Sequence, residues 1–373
     1  MSRLIDRALS GDWPRSRLLA LALLAMLLGL GLAPWLFPSV KAVNVAAKIL
    51  IFIVLVASYD LLLGYTGIVS FAHTMFFGLG AYGVAVAMSA QATAWNLLAG
   101  VCAALALSLV LALLIGLFSL RVRAIFFAMI TLAVATAFMT LASQLSGLTG
   151  GEDGLTFKLP LWLSPAYEWA DEPLVLPWGE VELNGRLAAY YLLFTSAVAL
   201  FLVMLRWVNS PFGRVLQAIR ENEFRAEALG YPVVVYRTLA NVLSALMATL
   251  AGSMLAIWLR YNGPDTSLSF EIMLDVLLMV VMGGMGTLYG AVVGSGVFLL
   301  AQSYLQDVLA WLAQATAAWP WLSALFTPNR WLLWLGLMFV LSVYHFPTGI
   351  VGVLRQRAQR VNAPAGQANA TQP

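Results

Sequence analysis

Ser210-Pro-Phe-Gly-Arg-Val-Leu-Gln-Ala-Ile-Arg-Glu-Asn-Glu-Phe-Arg-Ala-Glu-Ala-Leu-Gly-Tyr-Pro232 is a charged segment set into a chain that is otherwise a succession of apolar stretches. Ser210 stands at an N-cap position and Pro211 at the first helical position. Gly230 and Pro232 supply a stop, so the pattern predicts a helix contained within the segment. Leu216, Ile219, Phe224 and Leu229 form an apolar edge, and Glu221 with Arg225 an i to i+4 charge pair. Asn222 is also suited to cap a second helix from Glu223 to Leu229, which divides the segment in two with a bend. An edge of this kind lies in the groove of a partner or against the bundle.

Working outward, 62% of residues are hydrophobic and 10% charged, with a mean hydropathy of +0.88. That composition excludes a soluble monomer. Candidate spans run over residues 18–37, 43–64, 68–88, 95–120, 125–145, 187–207, 239–259, 270–282, 288–304 and 331–346. The expected fold class is therefore all-α, a polytopic membrane protein of about ten transmembrane helices. The first run exceeds the core of a signal peptide and is expected to remain as a span. The stretch 308–326, broken by Trp319-Pro320, is expected to be a further span or an outer interfacial helix.

Ten spans with the N-terminus inside place Arg3, Arg7, Arg15 and Arg17, then Arg121 and Arg123, then the Ser210 segment, then Arg355, Arg357 and Arg360 all on the cytoplasmic side. Every basic cluster then obeys the positive-inside rule. The net charge of +3 accordingly reflects topology, since seventeen of the twenty basic residues are Arg, mostly at span ends; nothing in it marks a nucleic-acid partner. The expected organisation is a cytoplasmic N-terminus (1–16), a transmembrane domain (17–353) and a disordered cytoplasmic tail (354–373). Within the domain, 147–187 forms an outer loop and 208–237 the cytoplasmic segment. The outer loop is acidic, with Glu152, Asp153, Glu168, Asp171, Glu172, Glu180 and Glu182 against Lys158 and Arg186. The tail is rich in Ala, Gly, Gln, Asn and Pro, which cannot build a core. Cys102 is the sole cysteine, so no intrachain disulfide forms. No His, Cys or carboxylate spacing suggests a metal site or catalysis, and none of the three lysines follows a glycine as a phosphate-binding loop requires.

Two stretches depart from plain apolar helix. Asp60 precedes Gly64-Tyr-Thr-Gly67 and then Ser70 and His73, while Asp275 precedes Gly283-Gly-Met-Gly-Thr-Leu-Tyr-Gly290. Both place an Asp upstream of a glycine break and a Gly-rich helix. Such paired breaks mark a substrate path between two halves, or two ordinary cytoplasmic hairpins. The path candidates are Tyr65, Thr66, Ser70, His73, Glu271, Asp275 and Thr287. Asp60 and Glu271 lie near span ends, which leaves Asp275 as the candidate buried charge. Glu271 and Asp275, at i and i+4, bind a cation or amino group or else meet Arg260; His73 contacts substrate or is a satisfied packing residue. Gly286, Gly290 and Gly294 fall on one helical face and predict close helix packing.

These residues resemble the branched-chain amino acid ABC importer permeases of the LivM type. The resemblance rests on Ser210-Pro-Phe-Gly-Arg with Ala-Ile-Arg-Glu-Asn-Glu and Ala-Glu-Ala-Leu-Gly. It extends to Gly64-Tyr-Thr-Gly, Phe76-Phe-Gly-Leu-Gly-Ala-Tyr, Leu148-Thr-Gly-Gly-Glu-Asp-Gly-Leu, Gly283-Gly-Met-Gly-Thr-Leu-Tyr-Gly and Phe346-Pro-Thr-Gly-Ile-Val-Gly. It implies a multi-pass permease of the bacterial inner membrane with both termini cytoplasmic, and no enzyme in itself. The implied partners are a second, LivH-like permease, two ATP-binding subunits that hold the ATP and Mg, and a periplasmic substrate-binding protein facing the acidic loop; membrane lipid surrounds it. Glu227, Ala228 and Gly230 stand where the family has a Glu-Ala-Ala and Gly coupling motif, lacking the second Ala and with a shorter distance to Gly. With Arg214, Arg220, Glu221, Glu223 and Arg225 they form the implied ATPase-coupling set. The implied cargo is a branched-chain or related hydrophobic amino acid. Urea, short amides and aromatic acids are the alternative for the same permease type, and an ion-coupled secondary transporter the alternative from another class.

Overall fold

In the computed structural model, the structure describes residues 16–37, 39–119, 124–169, 174–176, 179–181, 183–316, 323 and 325–362. The helices are α1 (Arg17–Gly31), α2 (Ala33–Leu36), α3 (Val40–Thr66), α4 (His73–Ala90), α5 (Ala94–Ser119), α6 (Ala124–Gln144), α7 (Ser146–Thr149), α8 (Gly185–Val208), α9 (Pro211–Glu221), α10 (Glu223–Ala228), α11 (Val233–Leu259), α12 (Pro264–Ser267), α13 (Phe270–Gly283), α14 (Leu288–Ala315), α15 (Trp331–His345) and α16 (Gly349–Asn362). Among the described residues nine helical stretches are long and apolar enough to cross a bilayer, and α1 is a shorter apolar helix. The fold is all-α and polytopic. Short polar caps start the spans where water begins. Ser39 accepts from Ala42 N at 3.3 Å ahead of α3, and Asn184 accepts from Arg186 N and Leu187 N at 3.1 and 3.2 Å ahead of α8.

The centre of the bundle is α3, α4 and α11, whose facing residues are buried. Lipid offers no hydrophobic drive between spans, so close approach and hydrogen bonds must hold them. Gly252 of α11 lies on the Phe77 carbonyl of α4, and Gly80 of α4 on the Thr249 carbonyl of α11. Polar rungs tie α11 to three neighbours: Ser244 Oγ donates to Ser58 O of α3 at 2.5 Å, Ser253 Oγ to Gly80 O of α4 at 3.2 Å and Asn241 Nδ2 to Ala112 O of α5 at 2.9 Å. A Cβ at residue 252 meets backbone that no rotamer change can move. Gly252→Val is therefore expected to cost about 1–3 kcal/mol or more and to collapse the yield of monodisperse protein in size-exclusion chromatography; an unchanged yield and melting profile would contradict this packing.

α1, α5, α6 and α15 form the periphery and expose leucines such as Leu18, Leu21, Leu98, Leu117, Leu332 and Leu333. Among the described residues there are four short strands: β1 (Leu155–Thr156), β2 (Leu174–Leu176), β3 (Gly179–Val181) and β4 (Tyr261–Asn262). β1 pairs antiparallel with β4, Leu155 opposite Asn262, which ties the loop before α8 to the end of α11; β2 pairs with β3. The described residues between 145 and 184 thus sit at one end of the bundle. The opposite end carries α9, α10 and the α3–α4 and α13–α14 turns.

Several boundaries differ from the sequence reading. α4 starts at His73 rather than residue 68, because Gly67 ends α3 in the left-handed conformation (φ 73°) and a turn follows. α11 begins at Val233, directly after Pro232. α14 continues to Ala315, so the start of the stretch 308–326 prolongs a span instead of forming a separate interfacial helix; Trp319 and Pro320 lie outside the described residues. α16 reaches Asn362, so the chain remains helical past the boundary placed at 354. Residues 1–15, Arg121, Arg123, Asp171, Glu172, Glu182 and 363–373 also fall outside them.

Candidate functional site

The charged segment is two helices. Ser210 does not cap with its side chain; its Oγ donates to Trp207 O at 2.6 Å. Asn222 is extended and its side chain accepts from Arg225 N at 2.9 Å, which ends α9 and starts α10. Glu221 and Arg225 therefore sit on different helices, and no ion pair joins them among the described residues. Leu216 and Ile219 are buried, Phe212 stacks on Tyr236 at 5.8 Å, and Glu223 grips Arg237 of α11 through two bonds of 2.6 and 3.1 Å. Glu223 thus anchors α10 instead of presenting its charge outward. What faces away from the bundle is Arg214, Glu221, Phe224, Arg225, Glu227, Ala228, Leu229 and Gly230. Phe224 is 84% exposed and Leu229 71%, so the predicted apolar edge splits into a half that docks and a half that is free.

Arg220 turns the other way. Its guanidinium Nη1 donates to the Gly64 carbonyl near the end of α3. Gly64 has no room for a Cβ, because the Asp60 carboxylate and Gly286 N lie against it. Asp60 Oδ1 accepts from Gly286 N at 2.8 Å, and Gly286 holds φ at 79°, a conformation that favours glycine. Gly284 in turn abuts Gly349 and the Thr348 carbonyl, while Thr287 Oγ1 donates to Gly284 O at 2.9 Å. Three separate motifs, at 64–67, 283–290 and 346–352, thereby converge on one point that a side chain from α9 reaches. Both glycine breaks are reversals of the chain at this end, packed on each other.

Among the described residues Asp60 is the buried carboxylate, 1% exposed, which corrects the expectation that its place near a span end would leave it wet. The α13–α14 turn folds over it. Asp275 is half-buried and accepts from Gln302 Nε2 at 3.3 Å; Glu271 is exposed, and neither forms an ion pair with Arg260. Tyr65, Thr66, Ser70 and His73 are each at most 5% exposed. His73 Nε2 lies 2.8 Å from Ser58 Oγ and its ring stands edge-on to Tyr59, and Thr66 Oγ1 donates to Leu62 O at 2.5 Å. The seven path candidates therefore do not meet: Tyr65, Thr66, Ser70 and Thr287 belong to the junction region, His73 to the buried contact with Ser58 and Tyr59, and Glu271 and Asp275 to an open face. Gly290 and Gly294 pack against the backbone of Gly283 and Met279 of α13, whereas Gly286 lies in the turn and not on the α14 face. The bond from Arg220 to Gly64 and the pairing of Asp60 with Gly286 escaped the sequence reading. Their signal was the shared pattern of Asp, glycine break and Gly-rich helix in both stretches. Glu152 and Asp153 are exposed at the far end of the bundle.

An all-α bundle of this kind, with small-residue helix contacts and an amphipathic helix pair tied into the turns between spans, defines a multi-pass membrane permease. The family model described as "Branched-chain amino acid transport system / permease component" matches residues 41–343, and the chain belongs to that family. It is 25% identical over 313 residues, 80% of this chain and 71% of the relative, to the high-affinity branched-chain amino acid transport system permease protein LivM of Salmonella typhimurium strain LT2. The same figures hold for the LivM protein of Escherichia coli K12. A probable branched-chain amino acid transport permease protein LivM of Methanocaldococcus jannaschii is 26% identical over 187 residues, half of this chain and 52% of that one. No solved structure matches.

Proposed function

We propose that this chain is the permease half of an ATP-driven importer for branched-chain amino acids in a bacterial inner membrane, with both termini cytoplasmic. It pairs with a second, LivH-like permease and is driven by two separate ATP-binding subunits. A periplasmic binding protein delivers cargo to the end that carries Glu152 and Asp153. The observation that supports this reading best is the α9–α10 pair, which offers Phe224, Leu229 and Glu227 to a partner on one side and reaches the junction through Arg220 on the other. A helix pair with that double attachment transmits movement of a soluble partner into the turns between spans.

Purification of the chain from its own cells in mild detergent should bring down two ATPase subunits and a second permease. Recovery of the chain alone, with solute movement driven by an ion gradient in liposomes, would replace this reading with a secondary transporter. Glu227→Arg reverses an exposed charge on the presented face. It should leave insertion intact while abolishing ATPase stimulation by loaded binding protein; normal stimulation would remove α10 from the docking surface.

A further inference from the structure

Polar side chains gather on one open face of the bundle, far from the α9 junction: Lys41 and Lys48 of α3, Glu271 and Asp275 of α13, Gln302 and Asp307 of α14. α14 packs on both α3 and α13. Lys41 pairs with Asp307, and Gln302 donates to Asp275. The set forms two layers. Lys41 and Asp307 lie toward the end where α3 begins and α14 finishes. Lys48 is seven residues further along α3, roughly 10 Å deeper at 1.5 Å per residue. Asp275 is five residues into α13, and Gln302 five residues below Asp307, each roughly 7.5 Å deeper. Lys48, Asp275 and Gln302 therefore share one depth within the membrane-spanning region. Lys48 is exposed and forms no hydrogen bond or ion pair among the described residues, and its charge acts on Asp275. Beyond it the open face of α3 closes, since residues 49–62 are all buried.

Charged groups at such depth are costly to leave against hydrocarbon. Such groups face water or a polar partner rather than lipid. A cation and an anion at one level on adjoining helices complement a ligand that carries both a carboxylate and an ammonium group, and half-buried Leu278, one turn below Asp275, offers an apolar contact to its side chain. We propose that Lys48, Asp275 and Gln302 form a recognition layer for the zwitterionic head of an α-amino acid. Lys48 takes the carboxylate, Asp275 takes the ammonium, and Gln302 positions Asp275. The layer rests on the importer reading and adds a substrate contact to it.

The test uses the whole transporter with its binding protein in proteoliposomes. Lys48→Ala and Asp275→Asn should each reduce ATP-dependent uptake of L-leucine at least tenfold, and the exchanged pair Lys48→Asp with Asp275→Lys should recover part of it. Both single variants within twofold of an active wild type would overturn the layer. Absence of uptake by the wild type would instead count against the importer reading, and a second measurement then judges the layer by itself. Leu274→Cys, beside Asp275 and exposed, in a Cys102→Ser background should react with a membrane-impermeant methanethiosulfonate. L-leucine should slow that reaction, and leucinamide and 4-methylpentanoate, each lacking one charge, should not. No reaction, or a reaction indifferent to leucine, overturns the proposal.

Discussion

Replacing Arg220 by alanine is expected to leave the transporter assembled and hydrolysing ATP while substrate moved per ATP falls at least tenfold. Arg220 bonds the Gly64 carbonyl across 156 residues of sequence, and a hydrogen bond from a charged donor contributes about 1.5–3 kcal/mol. Loss of that much coupling energy corresponds to roughly one to two decades in the equilibrium between the states it links. Folding should survive, because α9 keeps Leu216 and Ile219 in the core and α10 keeps its two bonds to Arg237. Arg220→Lys retains charge and reach without the planar fork, so intermediate coupling is expected. Uptake and ATPase rates measured side by side in proteoliposomes decide the matter. Equal stoichiometry in wild type and Arg220→Ala would reduce the bond to a surface contact.

Asp60→Ala should strike the fold of the junction itself. It strips the acceptor from Gly286 N, a bond of 2.8 Å made by a carboxylate only 1% exposed. A buried donor left without a partner costs about 1–3 kcal/mol, and the space left by the carboxylate adds to it. Gly286 holds its left-handed turn against Gly64, so losing this bond loosens the packing of both turns. Both detergent stability and uptake should fall, with Asp60→Asn, which keeps an acceptor oxygen, in between. A melting profile unchanged by Asp60→Ala would mean that Gly286 N finds another acceptor, and the junction would lose its organising group.

The helix pair was legible because Pro211, Asn222, Gly230 and Pro232 act within a few residues of themselves, as caps and stops do. Even there the sequence misjudged the surface. Glu223 reads as an outward charge, yet its partner Arg237 sits in the next helix, and the Glu221 and Arg225 pair dissolves once Asn222 bends the chain. The roles of the carboxylates were exchanged for the same reason: Asp60 lies near a span end and looks wet until the α13–α14 turn covers it, whereas Asp275 lies deeper in a span and looks buried until its open face appears. Gly286 fits a helical spacing with Gly290 and Gly294 and still belongs to a turn.

The sequence by itself determined that this is a multi-pass membrane bundle, where most of its spans run to within a few residues, α14 excepted, and where the charged helix pair interrupts them. Hydropathy and capping are local properties, since each stretch is partitioned into lipid or water by its own side chains. Only the tertiary structure decided which polar groups meet. Asp60 and Gly286 stand 226 residues apart, and no periodicity along the chain encodes their bond. It exists because α3, α13 and α14 pack closely enough to exclude water from a carboxylate, which must then find a backbone donor.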